Sequence, residues 1–278
     1  MSEAPNAGQV AYWNETAGRT WADAQAPLDR QLAPLGARGI AELAPTKGER
    51  ILDIGCGAGA SSLALAEAVG PSGEVLGLDI SGPLLALARR RGEGRPQLRF
   101  EQADAQTAAL PPAGFDGAFS RFGVMFFADP TAAFANIRKA LKPGGRLAFV
   151  CWRRPDESPI MTLPMQAALP HLPEPPPPPT PGAPGPFAFA DPERVQAILT
   201  SAGFGDVAIT PYDEKVGAGD LATVLDLAFR IGPLGAILRD RPELRPQVEA
   251  AVRAALAEHE APDGVKLNAA VWIVAARA

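Results

Sequence analysis

Between Arg50 and Trp152 five short apolar runs alternate with helical segments, and this alternation constrains the fold more than any other feature of the chain. The runs are Arg50–Ile54, Glu74–Leu78, Leu98–Gln102, Phe115–Ser120 and Arg146–Trp152. Ala60–Val69, stopped by Gly70-Pro71, and Pro83–Arg91, closed by Gly92, read as helices between them. A further helix starts at Asp129-Pro130, with aspartate as cap and proline in the first turn. It runs to about Leu141 and stops at Lys142-Pro143-Gly144-Gly145. Strand–helix alternation at this spacing predicts βαβ units, and so a parallel sheet with right-handed crossovers. The runs are nearly continuous in apolar residues, as expected where helices cover both faces.

The flanks read differently. Trp13, Trp21, Leu28, Leu32, Leu35, Ile40 and Leu43 recur at helical spacing, and Pro27 and Pro34 are expected to divide this stretch into two or three short helices. Residues 155–192 hold 14 of the 30 prolines, including Pro175–Pro179, so the middle of the stretch cannot be regular helix or sheet. Ser158–Leu169 is expected to form a short amphipathic helix despite Pro164. The stretch as a whole is either a rigid connector or a lid over the sheet's carboxyl edge. Asp191-Pro192 repeats the helix-start signal and Gly203 ends that helix. Val207–Thr210 and Leu267–Ala275 read as strands, and Leu221–Ile231 and Leu244–Glu258 as helices. Leu244, Val248, Val252, Ala255, Leu256 and His259 fall on one face of the last helix. The expected organisation is cap helices in 1–46, a core in 47–153, a proline-rich lid or connector in 154–190, and a return to the core in 191–278 with a helical insertion at 220–259.

Net charge is −5, with 26 basic against 31 acidic residues, which gives no support for a nucleic-acid partner. No apolar run reaches the ~18 residues of a membrane span, and the first residues lack the basic and apolar regions of a secretory signal. Two cysteines and two histidines with these spacings do not suggest a zinc site. A cytoplasmic, metal-free enzyme is expected.

The chemistry concentrates in Ile51-Leu52-Asp53-Ile54-Gly55-Cys56-Gly57-Ala58-Gly59-Ala60. A strand runs into a glycine turn and then a helix, whose free N–H groups and positive dipole end suit a polar cofactor. Gly55-x-Gly57-x-x-Ala60 also matches the dinucleotide fingerprint, so a nicotinamide-dependent oxidoreductase is an alternative. Asp53 weighs against it, because a carboxylate there repels pyrophosphate and favours a cationic cofactor. Asp79 follows the second strand, where an acid can take two ribose hydroxyls. Asp104 follows the third, where an acid can accept from an adenine amino group. All three acids lie at carboxyl ends of strands, the edge where open α/β sheets bind ligands.

On these residues the stretch Arg50–Trp152 resembles the class I S-adenosylmethionine-dependent methyltransferases, most closely the ubiquinone/menaquinone type. Asp53–Gly59 is similar to their first motif, Asp79 to their ribose acid, Asp104-Ala105 to their adenine loop, and Leu141–Gly145 to the turn before their fifth strand. The resemblance implies a seven-stranded Rossmann-like sheet in the order 3-2-1-4-5-7-6, strand 7 antiparallel, with helices on both faces and a helical cap. It implies S-adenosylmethionine as methyl donor and S-adenosylhomocysteine as product. The cofactor contacts it implies are Asp53, Gly55, Cys56, Gly57, Gly59, Asp79, Ile80, Asp104, Ala105 and Ser120. After strand 4 this chain has Ser120-Arg121-Phe122-Gly123, where enzymes that methylate DNA bases or glutamine carry Asn/Asp-Pro-Pro-Tyr, and this points to another acceptor. Arsenite methyltransferases need more cysteines than Cys56 and Cys151. The expected reaction is in-line methyl transfer to O, N or C of an aromatic or partly apolar small molecule. A silent S-adenosylmethionine-binding protein is the second alternative, and a homodimer through the added helices is plausible.

Single side chains carry two readings each. Arg121, Phe122, Phe126 and Trp152 either line the acceptor pocket or belong to the core; for Arg121 the alternatives are an ion pair with a neighbouring acid or with the cofactor's carboxylate. Tyr12 is a lid contact or proton acceptor, or simply packs near Trp13. His171 is a general base or an exposed loop residue, and His259 is structural. Cys56 is a reactive thiol or a small residue lining the cofactor. Strands 1 and 5 stand two positions apart, about 10 Å, which excludes a Cys56–Cys151 disulfide.

Overall fold

The computed structural model describes residues 6–177, 180 and 182–278. Residues 1–5 of the expected cap, and Pro178, Pro179 and Pro181 of the expected lid, lie outside these.

Nine strands and eleven α-helices follow one another along the described residues. They begin with α1 (Ala7–Asn14), α2 (Thr16–Asp23) and α3 (Gln25–Leu43). The alternating section is β1 (Arg50–Ile54), α4 (Ala60–Val69), β2 (Glu74–Asp79), α5 (Gly82–Arg91), β3 (Leu98–Gln102), β4 (Phe115–Arg121), α6 (Pro130–Ala140) and β5 (Leu141–Trp152). Then come α7 (Pro159–Ala168), α8 (Pro192–Ser201), β6 (Gly205–Val216), α9 (Leu221–Arg230), α10 (Gly232–Asp240), α11 (Arg245–Ala257), a two-strand ribbon of β7 (Glu260–Ala261) and β8 (Gly264–Val265), and β9 (Leu267–Arg277).

Seven strands form one sheet in the order β3-β2-β1-β4-β5-β9-β6. β9 runs antiparallel to both neighbours, and the other pairings are parallel. With the ribbon set aside, this is the expected 3-2-1-4-5-7-6 order. Side chains alternate across the sheet. Leu52, Ala118 and Phe149 join the cluster of α6 and α8, with Phe134, Ile137, Val195 and Leu199. Ile51, Phe119 and Ala148 join the cluster of α4 and the end of α3, with Leu43, Leu65 and Val69. Asp129 caps α6 as expected, its side chain accepting from the Ala132 N–H.

The structure corrects or extends the sequence reading in five places. Pro34 does not break α3, which runs 19 residues through it. An interior proline costs about 3 kcal/mol. Leu28, Leu32, Leu35 and Leu43 on the same helix are buried, each contributing ~1.5–3 kcal/mol, so burial wins. Gly39 lets the helix sit close to the sheet; a Cβ there would stand 2.5 Å from Val150 Cγ2. α10 lies between the two helices expected in the insertion; Pro233 stands in its first turn, where proline is tolerated. The ribbon β7–β8 follows the helical insertion expected at 220–259, in residues for which no element is expected. β6 extends six residues beyond Thr210, with Pro211 and the charges of Asp213, Glu214 and Lys215 typical of an edge strand. His259 lies past the end of α11 with its side chain exposed, not on the apolar stripe.

A third cluster contains no strand of the parallel section. It joins Ala24, Leu28, Ala168 and apolar residues of α9, α10 and α11, including Val224, Leu238, Val248 and Val252. The segments expected separately as cap, lid and insertion thus share one core above the carboxyl edge of the sheet. Among the described residues no single helix is long and apolar enough to cross a membrane; α9 and α10 reach that length only together, bent by 69°.

Candidate active site

The carboxyl ends of β1, β2, β3 and β4 open into a cleft of about 250 Å³. The glycine turn forms its floor. Gly55 has φ +65°, and a Cβ there would lie 2.7 Å from Gly123 Cα, so neither its conformation nor its clearance admits a side chain. Beside Gly57 a Cβ would meet no protein atom within 4 Å, leaving the floor bare at that point.

Asp79 ends β2. Its Oδ2 accepts from the Gly57 N–H at 2.7 Å and its Oδ1 from the Ser81 N–H at 2.8 Å. Burial pushes this carboxyl upward, against those N–H groups. Asp104 follows β3; its Oδ1 accepts from the Gln106 N–H at 2.9 Å, and its buried Oδ2 has no partner. Asp79, Ile80, Asp104 and Ala105 all line the cleft with Gly55, Cys56 and Gly57.

Three expected contacts, Asp53, Ser120 and Gly59, stand behind this lining instead of in it. Asp53 is fully buried and turns toward the first turn of α4, accepting from Ser61 Oγ at 2.7 Å and Ser62 Oγ at 2.5 Å. Burial raises its carboxyl to about 6, opposed by the two serines. Ser120 Oγ donates to the Ile54 carbonyl at 2.8 Å, tying the end of β4 to the end of β1. Gly59 packs toward Ala88 and Phe100. Cys56 lines the cleft, but burial and the neighbouring Asp79 and Asp53 push its thiol well up, away from a reactive thiolate. Cys56 and Cys151 are free.

The opposite wall is aromatic. Phe122 and Trp152 stack with ring centroids 4.4 Å apart and planes 10° apart. Phe122 sits at φ +64°, a conformation costing roughly 1–2 kcal/mol for a bulky side chain, and such strain is concentrated at functional positions. Trp13 meets Phe126 and Trp21 edge-on, each at 5.5 Å. Trp21, Leu28, Leu32, Met161, Pro186 and Ile231 complete this side from distant segments. Sequence reading singled out Phe122, Phe126 and Trp152 but missed Gln25, Asp29, Met161, Pro186 and Ile231, for which no local pattern exists. Asp29 alone left a trace: it interrupts the apolar face of α3 between Leu28 and Leu32.

Arg121 lines the cleft and pairs with Asp29. Burial lowers its guanidinium from the usual arginine range, opposed by Asp29 and Asp53. Tyr12 is 52% exposed and lies outside the lining, its ring edge-on to Trp13. His171 also lies outside it, its carbonyl accepting from Gln247 Nε2 at 3.2 Å. Among the described residues, no three His, Cys, Asp or Glu side chains gather to hold a metal ion.

A family model described as a methyltransferase domain matches residues 51–145. The chain is 35% identical over 152 residues to the aklanonic acid methyltransferase of a Streptomyces species, covering 51% of this chain and 68% of that protein. It is 33% identical over 174 residues to the demethylmenaquinone methyltransferase of Thermus thermophilus, covering 56% of this chain and 74% of that protein. The matched share of the first relatives ranges from 29 to 74% of their length. Among solved structures, the YcgJ protein of Bacillus subtilis superposes with a TM-score of 0.57 at 15% identity, over 88% of this chain and 98% of that one, a likeness of fold.

Proposed function

The chain belongs to the class I S-adenosylmethionine-dependent methyltransferases, and we propose that its cleft transfers a methyl group from this cofactor to an aromatic or partly apolar small molecule. The observation that carries the reading is the pair of strand-end acids. Asp79 is held against the glycine turn, and Asp104 keeps one buried oxygen free. A ribose offers two hydroxyls to the first, and an adenine amino group offers a donor to the second. A buried carboxylate oxygen left without a donor costs ~1–3 kcal/mol or more, which such a donor would recover. Asp53 acts at one remove, holding Ser61 and Ser62 at the start of α4 and so fixing the turn.

S-adenosylmethionine supplies a methyl group already activated by the sulfonium charge. The chain's task is then alignment and exclusion of water, with the acceptor atom held ~3 Å from the methyl. The Phe122–Trp152 stack offers a flat apolar platform for a planar acceptor. Trp13, Phe126 and Met161 add further apolar surface to the same cleft. Of the acids lining the cleft, Asp79 and Asp104 are held by backbone N–H groups and given to the cofactor in this reading, and Asp29 is held through one oxygen by Arg91. The reading is therefore of an acceptor that is nucleophilic without a dedicated protein base. Relatives named for aklanonic acid and demethylmenaquinone support a small-molecule acceptor.

Calorimetric titration with S-adenosylhomocysteine, S-adenosylmethionine and NAD tests the cofactor. Micromolar binding of the first two with no heat from NAD is expected; binding of NAD alone would overturn the reading. Turnover of planar aromatic acceptors, followed by release of S-adenosylhomocysteine, separates the enzyme from a silent binder.

A further inference from the structure

Ser120 lies in the last turn of chain before the end of β4, fully buried and outside the cleft lining. Its hydroxyl is used twice. It donates to the Ile54 carbonyl at 2.8 Å and accepts from the Gly123 N–H at 3.2 Å. The first bond ties β4 to the end of β1. The second folds the chain back from Gly123 onto Ser120, a side-chain-to-backbone link of the kind serine makes in turns. Gly123 is thereby pressed on the glycine turn, where a Cβ on it would lie 2.8 Å from both Gly55 Cα and the Ile54 carbonyl oxygen. Phe122 is caught inside this closed turn. Its own N–H donates to the Val150 carbonyl of β5 at 3.0 Å, and the next N–H is the one held by Ser120. A left-handed backbone at a bulky residue persists only where the surroundings over-determine it, and these bonds do so at Phe122, with φ +64°.

The cofactor floor has ties of its own. The Cys56 N–H donates to the Leu78 carbonyl of β2 at 3.0 Å, and the Gly59 N–H to the Cys56 carbonyl at 2.9 Å. The Gly57 N–H is held by Asp79. None of these bonds passes through Ser120. Removing the Ser120 hydroxyl therefore releases the turn that carries Phe122, while the glycine floor stays fastened to β2.

We propose that Ser120 is a positioning residue for the acceptor: from behind the lining, its hydroxyl holds Phe122 in the left-handed conformation that lays its ring flat on Trp152. This rests on the reading above that the Phe122–Trp152 stack is the acceptor platform. The resemblance to known methyltransferases puts Ser120 among the cofactor contacts; its bonds put it in the service of the opposite wall. They also set where that wall stands. Gly123 rests on Gly55 and Phe122 is its neighbour, so one hydroxyl fixes the platform relative to the floor.

The test measures two ligands on one set of variants: S-adenosylhomocysteine, and 2-naphthol as a planar neutral probe with S-adenosylhomocysteine saturating. Ser120→Ala should weaken 2-naphthol by about tenfold, the worth of one buried hydrogen bond. It should change S-adenosylhomocysteine by less than about threefold, which also reports that the variant is folded. Ser120→Cys, of similar size with a weak S–H donor, should fall between, and it carries the same comparison if the alanine variant does not fold. A crystal structure of Ser120→Ala should show Phe122 out of the left-handed region and its ring off Trp152. A retained positive φ with the stack intact overturns the proposal. So does an equal loss on both ligands, or no loss on 2-naphthol. If wild-type protein binds S-adenosylhomocysteine but not 2-naphthol, the platform reading is overturned, and the acceptor role of Ser120 with it. If it binds neither, the cofactor reading itself falls.

Discussion

The two walls of the cleft are built on opposite plans. The core wall consists of strand ends, where backbone N–H groups of Gly57, Ser81 and Gln106 hold carboxylates in fixed positions. The cap wall consists of apolar side chains gathered from α1, α2, α3, α7 and the links around Pro186 and Ile231. Backbone-held acids define donor and acceptor positions that suit one polar ligand. A wall of aromatic rings and methionine defines shape and dryness, which many flat molecules can satisfy. The contrast explains how a fold can keep its cofactor while its acceptor varies.

The sharpest way to break the contrast is to remove the acid of the core wall. Asp79→Ala should weaken S-adenosylhomocysteine about a thousandfold, ~4 kcal/mol, since two charge-assisted hydrogen bonds are lost and the Gly57 and Ser81 N–H groups lose their acceptor. An affinity within tenfold of wild type, measured by calorimetry, would remove Asp79 from the site. The next largest effect lies where the walls join. Leu35 is fully buried on α3, and Leu35→Ala should destabilise the protein by about 3 kcal/mol in urea unfolding. A loss under ~1 kcal/mol would mean that α3 does not anchor the cap.

Acidity separates the walls as well. The Asp53 carboxyl is raised to about 6 in the folded chain against an ordinary value near 4. Below about pH 4 it is protonated in both states and contributes nothing. As pH rises to 6 the unfolded chain ionises first, so folding stability falls; above 6 the loss stays constant, of order 2–3 kcal/mol. Asp79, shifted the same way, adds to the decline. Asp53→Asn should flatten the fall between pH 4 and 6 in chemical denaturation; an unchanged slope would show that Asp53 is not its source. The smallest effect belongs to the aromatic platform at the end of β5. Trp152→Ala should raise KM for a planar aromatic acceptor about tenfold, ~1.4 kcal/mol, while S-adenosylhomocysteine affinity stays within about threefold. Equal losses on both would show that the ring supports the floor and not the acceptor.

The same division governs what could be read from the sequence. The core wall is local: a strand, a glycine turn and a helix are contiguous, so Gly55, Gly57, Asp79 and Asp104 were legible from spacing, and β1 to β5 from apolar runs. Even there, only the folded chain reveals that Asp53 and Ser120 turn away from the cleft, because side-chain direction at a strand end depends on the serines and carbonyls it meets. The cap wall is non-local. Ile231, Pro186 and Met161 come together only through tertiary packing, and no periodicity within their own segments marks them. Pro34 misled for a related reason: proline reports a local cost, and burial elsewhere on the helix decides whether that cost matters.

Helix α3 belongs to both walls at once. Its first half lies in the cap cluster through Leu28, and its last turn lies against β1 and β4 through Leu43. Nineteen residues of continuous helix cannot unravel at one end without loosening hydrogen bonds toward the other. The cap is therefore not an independently melting unit: heat should carry both parts of the molecule through a single cooperative transition, with the slowest-exchanging amides of the cap found along this shared helix.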